Sequence, residues 1–180
     1  MGWQEGFFEV DLNQVPPPDL DPGWTASKGY TREAMAEWMS QLAEIQRRMR
    51  EEGWRAEDFE RLRQSRDPAE RALAETHHKF YDYGSKGGRL NFDFIKLEWT
   101  GDHYEITNGR HRIWLAKQYG LRTVPAYVYA PDRATLERLR REGDRAAHSA
   151  ERGEWHERTP LWERTNRDEA ERDIHRDRRR

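Results

Sequence analysis

The sequence contains no cysteine, which excludes disulfides, thiolate metal centres and cysteine nucleophiles together. It has no apolar run approaching the roughly 20 residues needed to span a bilayer. Met1 to Glu5 shows no basic stretch leading into an apolar one, so the expectation is a cytoplasmic protein with no membrane partner. Charge of one sign is also missing: 32 Lys and Arg stand against 34 Asp and Glu, a formal net charge of −2. No global field draws such a chain to nucleic acid, and DNA binding, if present, must come from a local patch. Apolar residues are scarce, 34% against 37% charged in 180 residues, so part of what is otherwise one domain's length must stay outside the core. No fixed-period repeat suggests a solenoid.

What is present reads as alternating strands and helices. Phe7 to Leu12 carries aromatic and β-branched residues and is stopped by Pro16-Pro17-Pro18, because proline cannot donate to a sheet ladder; this predicts a first strand. Thr31 is placed to cap a helix with Glu33 in its first turn. Met35, Trp38, Met39, Leu42, Ile45 and Met49 then recur on one helical face until Gly53. A shorter helix is expected over 56–64 with Phe59 and Leu62 inward, and Asp67-Pro68 starts another toward Phe80. Gly84, Gly87 and Gly88 break the pattern into a loop.

From Leu90 to Trp99 the apolar parity switches, with Leu90, Phe92 and Phe94 on one phase and Ile95, Leu97 and Trp99 on the other; this means burial on both faces or a bulge. Thr100-Gly101-Asp102 turns the chain into a second hairpin arm, Tyr104 to Thr107. A helix follows from about Arg110 to Tyr119 and ends at Gly120, and Val124 to Tyr129 forms the next strand. Pro125 requires either the tolerant beginning of that strand or an edge position. One more helix carries Leu136 and Leu139. From Gly143 onward acids and arginines alternate with few apolar anchors besides Trp155 and Trp162, so 143–180 reads as a charged, flexible tail able to bind a partner protein. The sum is an α/β (α+β) fold over 1–142, a small mixed sheet with packed helices, with 54–88 as a helical insertion.

The chemistry concentrates at Asn108-Gly109-Arg110-His111-Arg112. Gly109 allows a sharp bend and close approach of a ligand to the backbone. The helix beginning near Arg110 offers unpaired N–H groups and a positive dipole end, which favour a phosphate, and Arg110, His111 and Arg112 add donors there. Cations at a helix N-terminus oppose the dipole by about 0.3–1 kcal/mol each. A carboxylate such as Glu105 or Asp102, a bound anion, or simple solvation would offset that cost.

The run Ile106-Thr107-Asn108-Gly109-Arg110-His111-Arg112, followed by Ala116-Lys117, Gly120 and Val124-Pro125-Ala126-Tyr127-Val128, resembles the ParB/sulfiredoxin superfamily. That pattern is a strand, Gly-x-His-Arg, a helix with Ala-Lys, a glycine and a Val-Pro strand. The likeness extends loosely from Phe7 to Val128, with 54–88 as an insertion. It implies nucleotide binding, with Gly109, His111 and Arg112 matching the phosphate-binding turn of members that use ATP, ADP or CTP. Sulfiredoxins carry a cysteine just before the His-Arg pair; Arg110 stands there, which excludes that reaction. Partitioning ParB proteins have an arginine-rich turn and a helix-turn-helix; here His111 occupies the turn and no helix-turn-helix is read after Val128. Free serine kinases of the superfamily look closer at the turn, and they use a carboxylate near the first strand as base; Asp19 and Asp21 occupy a comparable stretch.

The resulting expectation is a nucleotide-binding domain acting as a phosphotransferase or nucleotide hydrolase on a small-molecule or protein acceptor. Asn108, Gly109, Arg110, His111 and Arg112 hold the phosphates, Mg2+ bridges them, and Asp19 and His111 are the catalytic candidates, His111 as a hydrogen-bond donor. The alternatives are a DNA-associated ParB-like nuclease or DNA-binding module, and a toxin-like or partner-binding domain. No protein metal site is expected: His77 and His78 are adjacent, point about 100° apart and lack an i+4 partner. His103 and the loop residues Tyr81, Tyr83, Ser85 and Lys86 read more simply as solvated turn and loop than as pocket lining.

Overall fold

The computed structural model describes residues 3–20, 31–81 and 94–149. β1 (Gln4–Asp11) starts before the apolar pattern and runs into a 3-10 turn, Leu12–Gln14. α1 (Arg32–Glu51) begins where Thr31 Oγ1 accepts the Ala34 N–H at 3.1 Å, which supplies one of the orphan amides of the first turn with a partner. Its stripe of Met35, Met39, Leu42 and Ile45 is buried. α2 (Ala56–Arg61) and α3 (Pro68–Tyr81) form the expected helical segment; Phe59 is buried, and Leu62, in a 3-10 turn between them, is half-buried. β2 (Lys96–Trp99), β3 (Tyr104–Asn108), α4 (Arg110–Tyr119), β4 (Thr123–Ala130) and α5 (Arg133–Ser149) complete the described residues.

The fold is mixed α/β: the described residues form five α-helices and one four-stranded sheet in the order β1-β4-β2-β3. β4 is antiparallel to β1 and parallel to β2, and β2 is antiparallel to β3. The parity switch falls before β2 begins: Phe94 sits in a bend and Ile95 precedes the strand, while within β2 Leu97 and Trp99 alternate regularly with half-buried Lys96 and Glu98. The β2–β3 register shift places its extra residue, Thr107, on β3. Phe94, Ile95, Leu97 and Trp99 are all buried, while Leu90 and Phe92 lie outside the described residues. Pro125 sits in an interior strand, not at an edge. The β4–β2 ladder opens with Tyr127 N–H donating to the Ile95 carbonyl at 2.8 Å, and Pro125, two residues earlier, faces the same side before that ladder begins.

The boundary expected at Gly143 is corrected by α5, which continues to Ser149 with Gly143, Ala146 and Ala147 buried. Small side chains add little hydrophobicity to a sequence pattern, yet they let a helix backbone come close. At Gly143 an added Cβ would stand 1.8 Å from the Glu9 carbonyl oxygen. Glu9 faces Pro125 in the β1–β4 register, a pair that exchanges no ladder hydrogen bonds because residue 125, like Tyr127 two places on, turns its nitrogen toward β2. The Glu9 carbonyl therefore points away from β4, and α5 closes the outer edge of β1. The rest of the expected tail, with Trp155 and Trp162, lies outside the described residues.

One core cluster joins residues such as Val10, Leu42, Leu97, Ile113, Val124 and Leu139; a smaller one, Ile45, Phe59 and Leu73, fixes α2 and α3 to α1. None of the described helices is long and apolar enough to cross a membrane.

Candidate functional site

α4 starts on Gly109, whose φ of +98° lies where a side chain is strained. The first helical bond runs from the Ile113 N–H to the Gly109 carbonyl at 2.9 Å, and the first turn holds no acid. A Cβ at Gly109 would meet Ile95 Cγ1 at 3.0 Å and Arg112 Nη2 at 3.3 Å. The Arg112 guanidinium therefore lies folded back against the glycine bend, and its carbon sits 5.9 Å from the centre of the Phe80 ring at the end of α3.

Arg110 is exposed and reaches across to donate from Nη2 to the backbone carbonyl of Asp19 at 2.8 Å, a contact between residues 91 positions apart. The fold thus brings Asp19, with its exposed carboxylate, beside the turn. His111 is half-buried on the first turn of α4. Asn108 points its Nδ2 to the Phe94 carbonyl at 2.6 Å, so this amide positions the bend on the segment leading into β2. Further along, Ala116 is buried, and Lys117 Nζ donates to the Leu12 carbonyl at 2.7 Å, tying α4 to the turn after β1. Burial lowers the Lys117 amine below its usual range, with Asp11 opposing that shift.

The nearest acids of the hairpin are otherwise engaged or exposed. Asp102 meets His103 Nδ1 at 2.5 Å and Thr100 Oγ1 at 3.1 Å, contacts that hold its carboxyl below the usual range; His103 belongs to this hairpin turn. Glu105 is exposed on β3. His77 lies in an aromatic column, 4.4 Å from the Phe59 ring centre and 5.1 Å from that of Tyr81, both stacked. Among the described residues no group of three or more His, Cys, Asp and Glu could hold a metal ion. Tyr83, Ser85, Lys86 and Asp21 lie outside those residues.

Sequence reasoning missed Glu9. Its carboxyl group accepts from Tyr81 Oη at 2.5 Å and from Gln46 Nε2 at 3.2 Å, and Gln46 also donates to the Thr123 carbonyl at 2.9 Å. Burial pushes this carboxyl above its usual range, opposed by the bonds from Tyr81, Thr123 and Gln46 and by the charge of Arg50. The available signal was Phe7, which shares the face of β1 that carries Glu9 and marks that face as covered. A groove of about 500 Å³ between α1 and α3, lined in part by Trp38, Gln41, Thr76 and Lys79, includes none of the turn residues.

No family model, no curated protein and no solved structure matches the chain.

Proposed function

We propose that this chain binds a nucleotide by its phosphates at the start of α4 and acts as a phosphotransferase or nucleotide hydrolase. The observation that carries the reading is the convergence on one bend: a left-handed glycine opening a helix, the Arg112 guanidinium folded against it, and Arg110 bonded to the backbone of Asp19. Helix-start amides and a planar guanidinium are a matched pair for phosphate oxygens. The resemblance of Ile106 to Val128 to the ParB/sulfiredoxin pattern supports the same ligand.

In this reading Arg112 and the backbone of Gly109 to Arg112 grip the phosphates, and His111 donates a hydrogen bond to them. Asn108 holds the bend in shape. Asp19 accepts the proton of the attacking hydroxyl or water, and Arg110 keeps its loop in place. Mg2+ fits such a donor set, because it is held by phosphates and waters with one or two carboxylates and needs no all-protein cage. When bound, it neutralises charge on the phosphates.

The test is calorimetric titration with ATP, ADP and CTP, each with Mg2+, on the wild type and on Arg112→Ala. Saturable binding that Arg112→Ala weakens is expected. Absence of saturable binding to all three sinks the proposal, and steeply salt-dependent retention of duplex DNA in its place moves the assignment to a DNA-associated module.

A further inference from the structure

Three elements meet at the Glu9 carboxyl group. It lies on β1, takes the hydroxyl of Tyr81 from the last turn of α3, and takes the amide of Gln46 from α1. From this point two chains of direct contact lead to the bend at Gly109. Along the first, Tyr81 is followed by Phe80, 2% exposed, whose ring lies against the Arg112 guanidinium. Along the second, Phe7, on the same face of β1 as Glu9, packs edge-on to Tyr81 at 6.4 Å and against Phe94 at 5.3 Å. The Phe94 carbonyl is the one that Asn108 holds.

A carboxyl group drawn partly out of water and ringed by protein groups costs stability that an apolar residue would not. Its geometric return here is a fixed C-terminal end of α3. We propose that Glu9 is a positioning residue for the anion-binding bend: through Tyr81 and Phe80 it sets where the Arg112 guanidinium lies over the start of α4. The role in ligand binding rests on the nucleotide reading above; the positioning itself does not.

The groups that face this carboxyl are Tyr81 from α3, Gln46 and Arg50 from α1, and Thr123 from β4, with His77 stacked on Tyr81. The experiment follows the Arg112 Nε–H and Gly109 amide signals of the ligand-free protein by nuclear magnetic resonance across pH, alongside the Glu9 side-chain carboxyl carbon. In the wild type both turn signals are expected to move in step with Glu9. In Glu9→Gln, which keeps His77, that titration is expected to vanish. Tyr81→Phe keeps the ring stack and loses only the hydroxyl, so it serves if Glu9→Gln does not fold; the turn signals there are expected to shift and to stop following Glu9. Turn signals that ignore Glu9, or an inflection at the Glu9 midpoint that persists in Glu9→Gln, overturn the proposal; an inflection from His111 on the turn itself is expected in both proteins and is subtracted. Where Mg-ATP binds the wild type, Tyr81→Phe is expected to weaken it about three- to tenfold, the loss of one hydrogen bond. Turn signals that follow Glu9 in a protein that binds no nucleotide leave the positioning intact and remove only the nucleotide reading.

Discussion

Gly143→Ala separates two physical effects of opposite sign. Helix propensity alone favours alanine over glycine in the interior of α5 by about 1 kcal/mol. Gly143 has no positive φ to lose by the change, since the described positive-φ glycines are Gly53, Gly101, Gly109 and Gly120. Against this, the new methyl carbon would lie 1.8 Å from the Glu9 carbonyl oxygen and 2.9 Å from its carbon, where an ordinary carbon–oxygen contact needs about 3.3 Å. The obstacle is backbone, held in a strand, and cannot swing aside as a side chain would. The helix has to retreat by more than about 1 Å, loosening Leu136, Leu139 and Ala146. Overpacking of this kind costs about 1–3 kcal/mol and more where the backbone must shift. The expected net loss is about 2 kcal/mol, or a melting temperature lower by about 4–8 °C for a chain of this size. Urea titration followed by far-ultraviolet circular dichroism measures it, with exposed Arg145→Ala on the same helix as a control expected to change stability by less than about 0.5 kcal/mol. A Gly143→Ala protein as stable as the wild type would show that propensity governs and that α5 does not seat on β1 through this residue.

Gly109→Ala is expected to destabilise by about 1–3 kcal/mol in the same assay, because alanine must adopt a left-handed conformation and press on Ile95; an unchanged midpoint contradicts the bend described here. Glu9 gives a pH signature. Its folded-state pKa is raised, so its contribution to stability is fully present below the ordinary value of 4.5 and is lost as pH rises from there through the folded value. Subtracting the unfolding free energies of Glu9→Gln from those of the wild type should therefore leave a difference that falls with pH in that window; a flat difference refutes the assignment.

Much of the fold was legible because its signals are local. Thr31 and Gly120 act within their own helix turns, and the stripe from Met35 to Ile45 follows from helical periodicity alone. The parity switch between Phe94 and Ile95 announced that something irregular happens there, and the bend at Phe94 ahead of β2 supplies it. What stayed hidden depends on partners far away in sequence. The place of Pro125 in an interior strand is a matter of strand order, which no local pattern encodes. The burial of Gly143, Ala146 and Ala147 is set by how near α5 approaches β1, and small residues among arginines read as solvated chain. At the candidate site, the glycine bend and its cations were visible as a run of five residues. The contact of Arg110 with Asp19 and the enclosure of Glu9 were not, since each joins distant segments.

The pairing of β1 with β4 also sets a timetable. Gln4 lies opposite Ala130, so β1 leaves the ribosome more than a hundred residues before its only described neighbour in the sheet. At synthesis rates of about 5–20 residues per second, roughly 6–25 s separate the appearance of the two. Throughout that interval Phe7, Phe8 and Val10 wait without a sheet to join. Nascent chains arrested before Thr123 should therefore be the species most dependent on chaperones, and those released after Ser149 the first able to fold unaided.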